Sequence, residues 1–285
     1  MITILGTGLL GSGFARALRK KGEDVRVWNR TAARARALEH EGISVADSPA
    51  DAVRGASRVH IVVSDDAAVD GVLAQAAPGL AKGALVIDHS TTSTAGARTR
   101  TRDWESRGIT YLHAPVFMGP QNALESTGLM MVSGDRDVIA KATPLLAPMT
   151  GKLIDLGERI DAAAGYKLIG NLLLMAITAG FTDMLALAKS MSMTGADVAA
   201  LLGHFNPGVS LPGRFKRMMD ADYANPSWEL AMARKDARLM QAEADRAGVE
   251  LTMLPEFAKL MDAAISQGDG NADWTVVAKH LISTR

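Results

Sequence analysis

The sequence predicts an α/β fold: a doubly wound parallel sheet followed by an all-α C-terminal domain. Three observations carry this expectation. Short β-rich runs alternate with helical patterns from the first residues to Leu156. A glycine cluster, GTGLLG, falls at Gly6, Gly8 and Gly11, where the first β run gives way to a helical pattern. From Asp161 onward the strand candidates cease and long helical patterns run to the end.

Residues 2–5 (Ile-Thr-Ile-Leu) read as a buried parallel strand. Beyond Gly11, Phe14, Ala15, Ala17 and Leu18 are spaced for one face of a helix. A second strand follows Gly22 at residues 25–28, and further candidates lie at 58–63, 85–88, 109–113, 129–133 and 152–156. Helical patterns at 31–41 and 94–107 lie between several of them. The boundary is expected near residues 157–161, giving domains 1–160 and 161–285, the second for substrate binding and dimerisation. Turns are expected there at Asn206-Pro207-Gly208, Leu211-Pro212-Gly213 and Gly268-Asp269-Gly270. The most apolar segment, LLLMAITAGF at 172–181, is bracketed by Asn171 and Asp183. It is well short of the ~20 apolar residues that span a bilayer, so it is expected to be a buried helix.

Composition narrows the function. Lys+Arg and Asp+Glu are 31 each, so no generalised nucleic-acid surface is implied. The chain has no cysteine, which excludes disulfides and thiolate chemistry and fits a reducing compartment. No basic-then-apolar leader precedes the first strand, and the expected location is the cytoplasm, away from membranes. The six histidines show no metal-ligand spacing, and no metal is expected.

With 27 glycines in the chain, a lone G-x-G-x-x-G is weak, and its flanks must decide. Here they form a βαβ unit, the context of a Rossmann-type dinucleotide site. The first glycine permits the tight turn, the second lets backbone approach a pyrophosphate, and the third lets helix and strand pack closely. Gly6, Thr7, Gly8, Leu9, Leu10 and Gly11 are thus expected to hold the cofactor. After the second strand an NAD site usually places an acid, but this chain reads Asn29-Arg30-Thr31, with Arg34 and Arg36 beyond. An arginine suits a 2′-phosphate, so NADP (as NADPH) is expected in preference to NAD. Val63, Ser64, Asp65 and Thr91 follow later strands and are expected to line the same cleft.

Lys167 and Asn171 stand four apart in AAAGYKLIGNLLL and share a helix face. On residue chemistry alone, such a lysine is ordinarily a surface lysine whose stem covers apolar neighbours. Lys235-Asp236 reads as helix surface by the same default.

A resemblance overturns both defaults. GTGLLG, NRT, the DHST of residues 88–91, HAPVFMGPQNALESTGLMMVSG from His113, Lys167 with Asn171, and Lys235-Asp236 occur in the order of the β-hydroxyacid dehydrogenase family, of 3-hydroxyisobutyrate dehydrogenase type. The resemblance implies hydride transfer between a nicotinamide cofactor and a small carbonyl or hydroxy compound. It makes Lys167 the general acid/base and Asn171 its neighbour at the substrate oxygen, with Lys235 at the cofactor end of the site. It also implies a homodimer or homotetramer. Two alternatives stand beside it: an imine reductase-like enzyme acting on C=N, and a non-catalytic dinucleotide-binding module. Retention of Lys167 argues against both.

The chain departs from the family in its substrate loop, usually similar to D-A-P-V-S-G-G. Phe117 and Met118 replace the serine and first glycine, so both are expected to narrow or repolarise the pocket, with Gly119 and Asn122 as polar contacts. Asp161 and Ala163 stand where glycines are typical. His113 replaces an aspartate and is expected to be a satisfied structural histidine.

Overall fold

Side chains alternate across a strand, and that alternation sorts the first part of the chain onto two faces of one sheet. The structure is a computed structural model describing residues 1–282. Six parallel strands, β1 (Ile2–Leu5), β2 (Val25–Trp28), β3 (Ser44–Val45), β4 (Arg58–Ile61), β5 (Leu85–Asp88) and β6 (Thr110–His113), lie in the order β3-β2-β1-β4-β5-β6. Ile2, Ile4, Val25, Val27, Ile87 and Leu112 join one apolar cluster with Phe14 and Leu18 of the helix Leu9–Lys20. Leu5, Val59, Ile61, Val86 and Tyr111 join another, with Val69 and Leu73 of the helix Asp66–Ala76 and Trp104 of the helix Thr94–Ser106. Both faces are therefore covered, as a wholly parallel sheet requires.

The direction of winding reverses between β1 and β4, so the crevice beyond their carboxyl ends is the natural ligand position. Three further strands, β7 (Val116–Phe117), β8 (Leu129–Val132) and β9 (Lys152–Asp155), form a small mixed sheet beside this one in the sequence.

The chain divides into two compact units, Met1–Leu172 and a second beginning at Leu173. The division falls inside the 29-residue helix Ala162–Ser190. The second unit is helical, with a small core of Leu230, Ala233, Ala237, Met261, Ala264 and Val276. Asp183 terminates a neighbouring chain reversal: its carboxylate accepts from the Thr252, Met253 and Leu254 N–H groups at 2.7–2.9 Å and from Thr252 Oγ1 at 2.8 Å.

Several expectations change. The strand expected over 58–63 stops at Ile61, and the helix expected over 31–41 breaks into Ala32–Arg36 and a short 3₁₀ turn at Glu39–Glu41. Strands β3 and β7, two residues each, carry too little periodicity to be seen in sequence. Leu211-Pro212-Gly213 is not a turn but the start of the helix Leu211–Met219, where proline's missing N–H has no helical partner to lose. The largest correction concerns the apolar segment 172–181. It is helical but not buried: Leu172 is 68% and Met175 67% exposed. Its helix is long and apolar enough, by length and composition, to cross a membrane, with only 6% of the most apolar window buried. The core cluster of the second unit includes none of residues 172–181.

Asp183→Ala should lower stability by roughly 2 kcal/mol, because it strips several backbone donors of a charged acceptor at once. Urea unfolding checks this; an unchanged midpoint would show that the donors find other partners.

Candidate functional site

The glycine turn is built by contact. At Gly6 the backbone has φ +105°, and a methyl there would lie 2.1 Å from the Val62 carbonyl oxygen. A methyl on Gly11 would lie 2.0 Å from the Gly6 oxygen, so the helix Leu9–Lys20 runs against the end of β1 at a distance only glycine allows. Gly8 differs: a methyl there meets nothing within 4 Å. It caps the helix without a side-chain bond, leaving the first-turn N–H groups open to an anion. Asn29 fixes the turn from β2, accepting from the Thr7 N–H at 2.9 Å and donating to the Thr31 carbonyl at 3.0 Å.

Beside the turn lies a cleft of about 520 Å³. Gly6, Gly8, Leu9 and Leu10 form one wall, and Asn29, Arg30, Thr31 and Arg34 form the end beyond β2. Val63, Ser64, His89, Ser90 and Thr91 continue it past β4 and β5. Among the described residues no carboxylate lines the cleft, whereas two guanidiniums do. Ala68, Gly71 and Gln75 also line it and escaped the sequence reading, although their spacings of three and four put small residues on one face of a helix.

Two buried networks support the floor. Asp88 is fully buried and accepts from Tyr111 Oη at 2.6 Å and from the Ser90 N–H at 2.9 Å. Arg100 donates to Tyr111 Oη at 3.1 Å and to Asp66 at 2.6 Å, and Asp66 in turn accepts from the Ser93 N–H at 2.9 Å. The loop carrying Thr91 is thereby held at both ends. The second network runs Arg58, His60, His89, Ala114. A guanidinium only donates, so Arg58 Nε–H fixes His60 Nε2 as acceptor at 3.1 Å. His60 then carries its proton on Nδ1 and donates to His89 Nε2 at 2.9 Å, and His89 Nδ1–H donates to the Ala114 carbonyl at 2.8 Å. Both rings are neutral: burial pushes His60 well below the usual histidine range and His89 down to about 4.

Lys167 and Asn171 belong to the first unit, on the helix Ala162–Ser190. The start of this helix is tied down by Ser133 Oγ, which accepts from the Ala163 N–H at 3.0 Å. Gly165 sits beside Thr94, three residues past the cleft's Thr91. Lys167 is half-buried and, among the described residues, makes no hydrogen bond or ion pair. Its one close partner is the Phe117 ring, whose centroid lies 4.1 Å from Nζ. Burial holds its pKa below the ordinary lysine range. Asn171 likewise makes no hydrogen bond among the described residues.

The remaining expected site residues have contacts of their own. Met118 packs into the core with Val116, on the opposite side of β7 from Phe117, so only one of the two bulky residues reaches Lys167. The expected polar contacts of Gly119 and Asn122 are spent on their own turn: Asn122 accepts from the Gly119 N–H and donates to Thr127 Oγ1, each at 2.9 Å. Asp65 caps the helix Asp66–Ala76, accepting from the Ala68 N–H and from Ser64 Oγ, both at 2.8 Å. Lys235 lies in the second unit, 2.9 Å from Asp236. His113 is structural but only half satisfied. Its Nε2 meets the Ser90 carbonyl at 2.9 Å, while buried Nδ1 has no partner among the described residues. Asp161, where a glycine is typical, anchors Arg98 and Arg159 at 2.9 and 2.7 Å.

A six-stranded parallel sheet and a bare glycine turn at its switch point define a dinucleotide-binding fold. The family model of the NAD-binding domain of 6-phosphogluconate dehydrogenase matches residues 1–157, and that of the NAD-binding of NADP-dependent 3-hydroxyisobutyrate dehydrogenase matches 162–281. The chain belongs to this NAD(P)-dependent β-hydroxyacid dehydrogenase family. It is 26% identical to the 3-sulfolactaldehyde reductase of Escherichia coli, over 98% of this chain and 95% of that one. It is also 26% identical to glyoxylate/succinic semialdehyde reductase 1 of Arabidopsis thaliana, over 100% and 99%. Among solved structures, the imine reductase of Myxococcus stipitatus with NADP⁺ superposes with a TM-score of 0.92 at 20% identity, over 99% of each chain. At that identity the likeness carries the fold and not the substrate.

The neutral histidine pair makes stability pH-dependent. The unfolded chain protonates its histidines below about 6.5, whereas folded His89 does so only near 4. In that window the unfolded state binds more protons, so stability falls as pH drops through it. Thermal unfolding should show the melting temperature declining from pH 6.5 to 4, and His89→Gln should flatten the decline; a level wild-type profile would contradict the neutral pair.

Proposed function

We propose that the chain is an NADPH-dependent reductase of small carbonyl compounds, with Lys167 as the proton donor. The observation that carries this reading is a half-buried ammonium that has no ion-pair partner among the described residues, on a helix whose start is tied beside the cleft's Thr91 loop. The cleft residues fit the cofactor: Gly8 leaves room for a pyrophosphate beside open N–H groups, and Arg30 and Arg34 suit a 2′-phosphate that an acid would repel. A reduced nicotinamide, when bound, supplies hydride to the carbonyl carbon.

The chain's own residues manage the oxygen. As negative charge gathers there, the Lys167 ammonium stabilises it and transfers a proton from Nζ, leaving a neutral amine. Partial burial favours that amine by withholding water from the charge. Asn171, one turn on, offers its amide N–H to the same oxygen and fixes its position. In the reverse direction the amine accepts the alcohol proton.

We also propose that the exposed apolar face of the helix Ala162–Ser190 is covered by a second copy of the chain, as homodimer or homotetramer. Ile169, Leu172 and Met175 are each about two-thirds exposed, a patch that soluble monomers seldom carry.

Lys167→Ala should cut carbonyl reduction by about 10²–10⁴-fold while NADPH binding, read by fluorescence, is kept; equal turnover would sink the mechanism. Wild-type reduction should fall as pH rises through the lysine's pKa, since only the ammonium donates. Arg30→Ala with Arg34→Ala should weaken NADPH about 10–100-fold and leave NADH unchanged; equal losses for both would remove the 2′-phosphate reading. Sedimentation equilibrium should give two or four chain masses, and a stable monomer would contradict the proposed assembly.

A further inference from the structure

Phe117 sits on a seat that only glycine can provide. A methyl at Gly170 would lie 2.2 Å from Phe117 Cζ, so the tip of the ring rests on the helix backbone one turn beyond Lys167. The same ring lies 4.1 Å from Lys167 Nζ. Strand alternation fixes this placement from the other side, because Val116 and Met118 are committed to the core. The ammonium thus has an aromatic face on one side and, among the described residues, no anion on any other.

We propose that Phe117 sets the substrate class: the site takes carbonyl compounds whose group beside the reacting carbon is uncharged, and turns away those bearing a carboxylate there. The proposal rests on Lys167 being the proton donor to the carbonyl oxygen. A group attached to that carbonyl carbon lies against the ring. The ring face is the negative side of its quadrupole, so it attracts the ammonium and repels a carboxylate. It also has no strong donor to replace the carboxylate's lost water. A carboxylate that did enter would compete with the carbonyl oxygen for Lys167 and so slow turnover further. An uncharged flank gains apolar contact and leaves the ammonium to the oxygen.

The test pairs each acid with its own ester: pyruvate against methyl pyruvate, and glyoxylate against methyl glyoxylate, with NADPH. Wild type should favour the esters in kcat/KM by at least about tenfold. Phe117→Ser should shrink that ratio by at least about tenfold, and Phe117→Leu, which keeps apolar cover, should retain its direction. A wild-type preference for the acids, or an unchanged ratio in Phe117→Ser, would overturn the proposal. A second readout needs no turnover: in ¹³C-methylated protein, the NMR titration of Lys167 should move down in Phe117→Leu, which loses the ring's preference for the cation. An unmoved titration would take the ring off the ammonium and overturn the proposal too. Turnover surviving in Lys167→Ala would fell the proton-donor reading separately, since the ester-to-acid ratio judges Phe117 alone.

Discussion

Everything in the first unit depends on one close approach, that of the helix Leu9–Lys20 to the carboxyl ends of β1 and β4. Two missing Cβ atoms make it possible. Gly6 turns the chain under the Val62 carbonyl, and Gly11 lets the helix backbone reach the Gly6 oxygen. Were the helix further away, its open N-terminus would not form the wall of the cleft, and Phe14 would not reach the face of the sheet that also buries His89. The anion-binding end and the core are therefore set by the same contact. That is why a weak glycine pattern gains meaning only from its strand and helix.

The floor of the cleft follows a different rule. Strand ends place buried polar groups under the site, and the series from Arg58 through His60 and His89 to Ala114 is paired in one direction only. The guanidinium of Arg58 dictates the tautomer of His60, which dictates that of His89, whose remaining proton holds the Ala114 carbonyl. Ala114 lies three residues before Phe117, so this chain of donors runs from β4 to the strand that places the ring beside Lys167. Fully paired, such a network specifies one arrangement; a single added proton would leave a buried donor facing a donor.

Much of this was legible in the sequence. The fold class and most strand positions followed from β-rich runs and glycine placement, because parallel strands buried on both faces leave nearly continuous apolar stretches such as residues 2–5, interrupted by Thr3 alone. The acid-free end of the second strand was equally plain. Lys167 was not: its residue chemistry alone reads as surface, and only the ordered set of family motifs singled it out. What stayed hidden required knowledge of direction in space. Phe117 and Met118 are adjacent and both apolar, yet strand parity sends them to opposite sides. Asn122 resembled a ligand because nothing in sequence shows that its amide is spent on its own turn. His60 and His89 are 29 positions apart, and their pairing exists only once β4 and β5 are side by side. The apolar run at 172–181 signals burial in sequence, yet Leu172 and Met175 are about two-thirds exposed in this chain.

The central claim is that the glycine-turn cleft delivers hydride to a carbonyl. The most direct measurement supplies NADPH deuterated at the reactive C4 position together with an uncharged aldehyde, and locates the label by mass spectrometry and NMR. Hydride transfer puts deuterium on the carbinol carbon of the product, with the hydroxyl proton taken from solvent. Cofactor binding with no label in any product would contradict it, and would leave the fold as a dinucleotide-binding module without this chemistry.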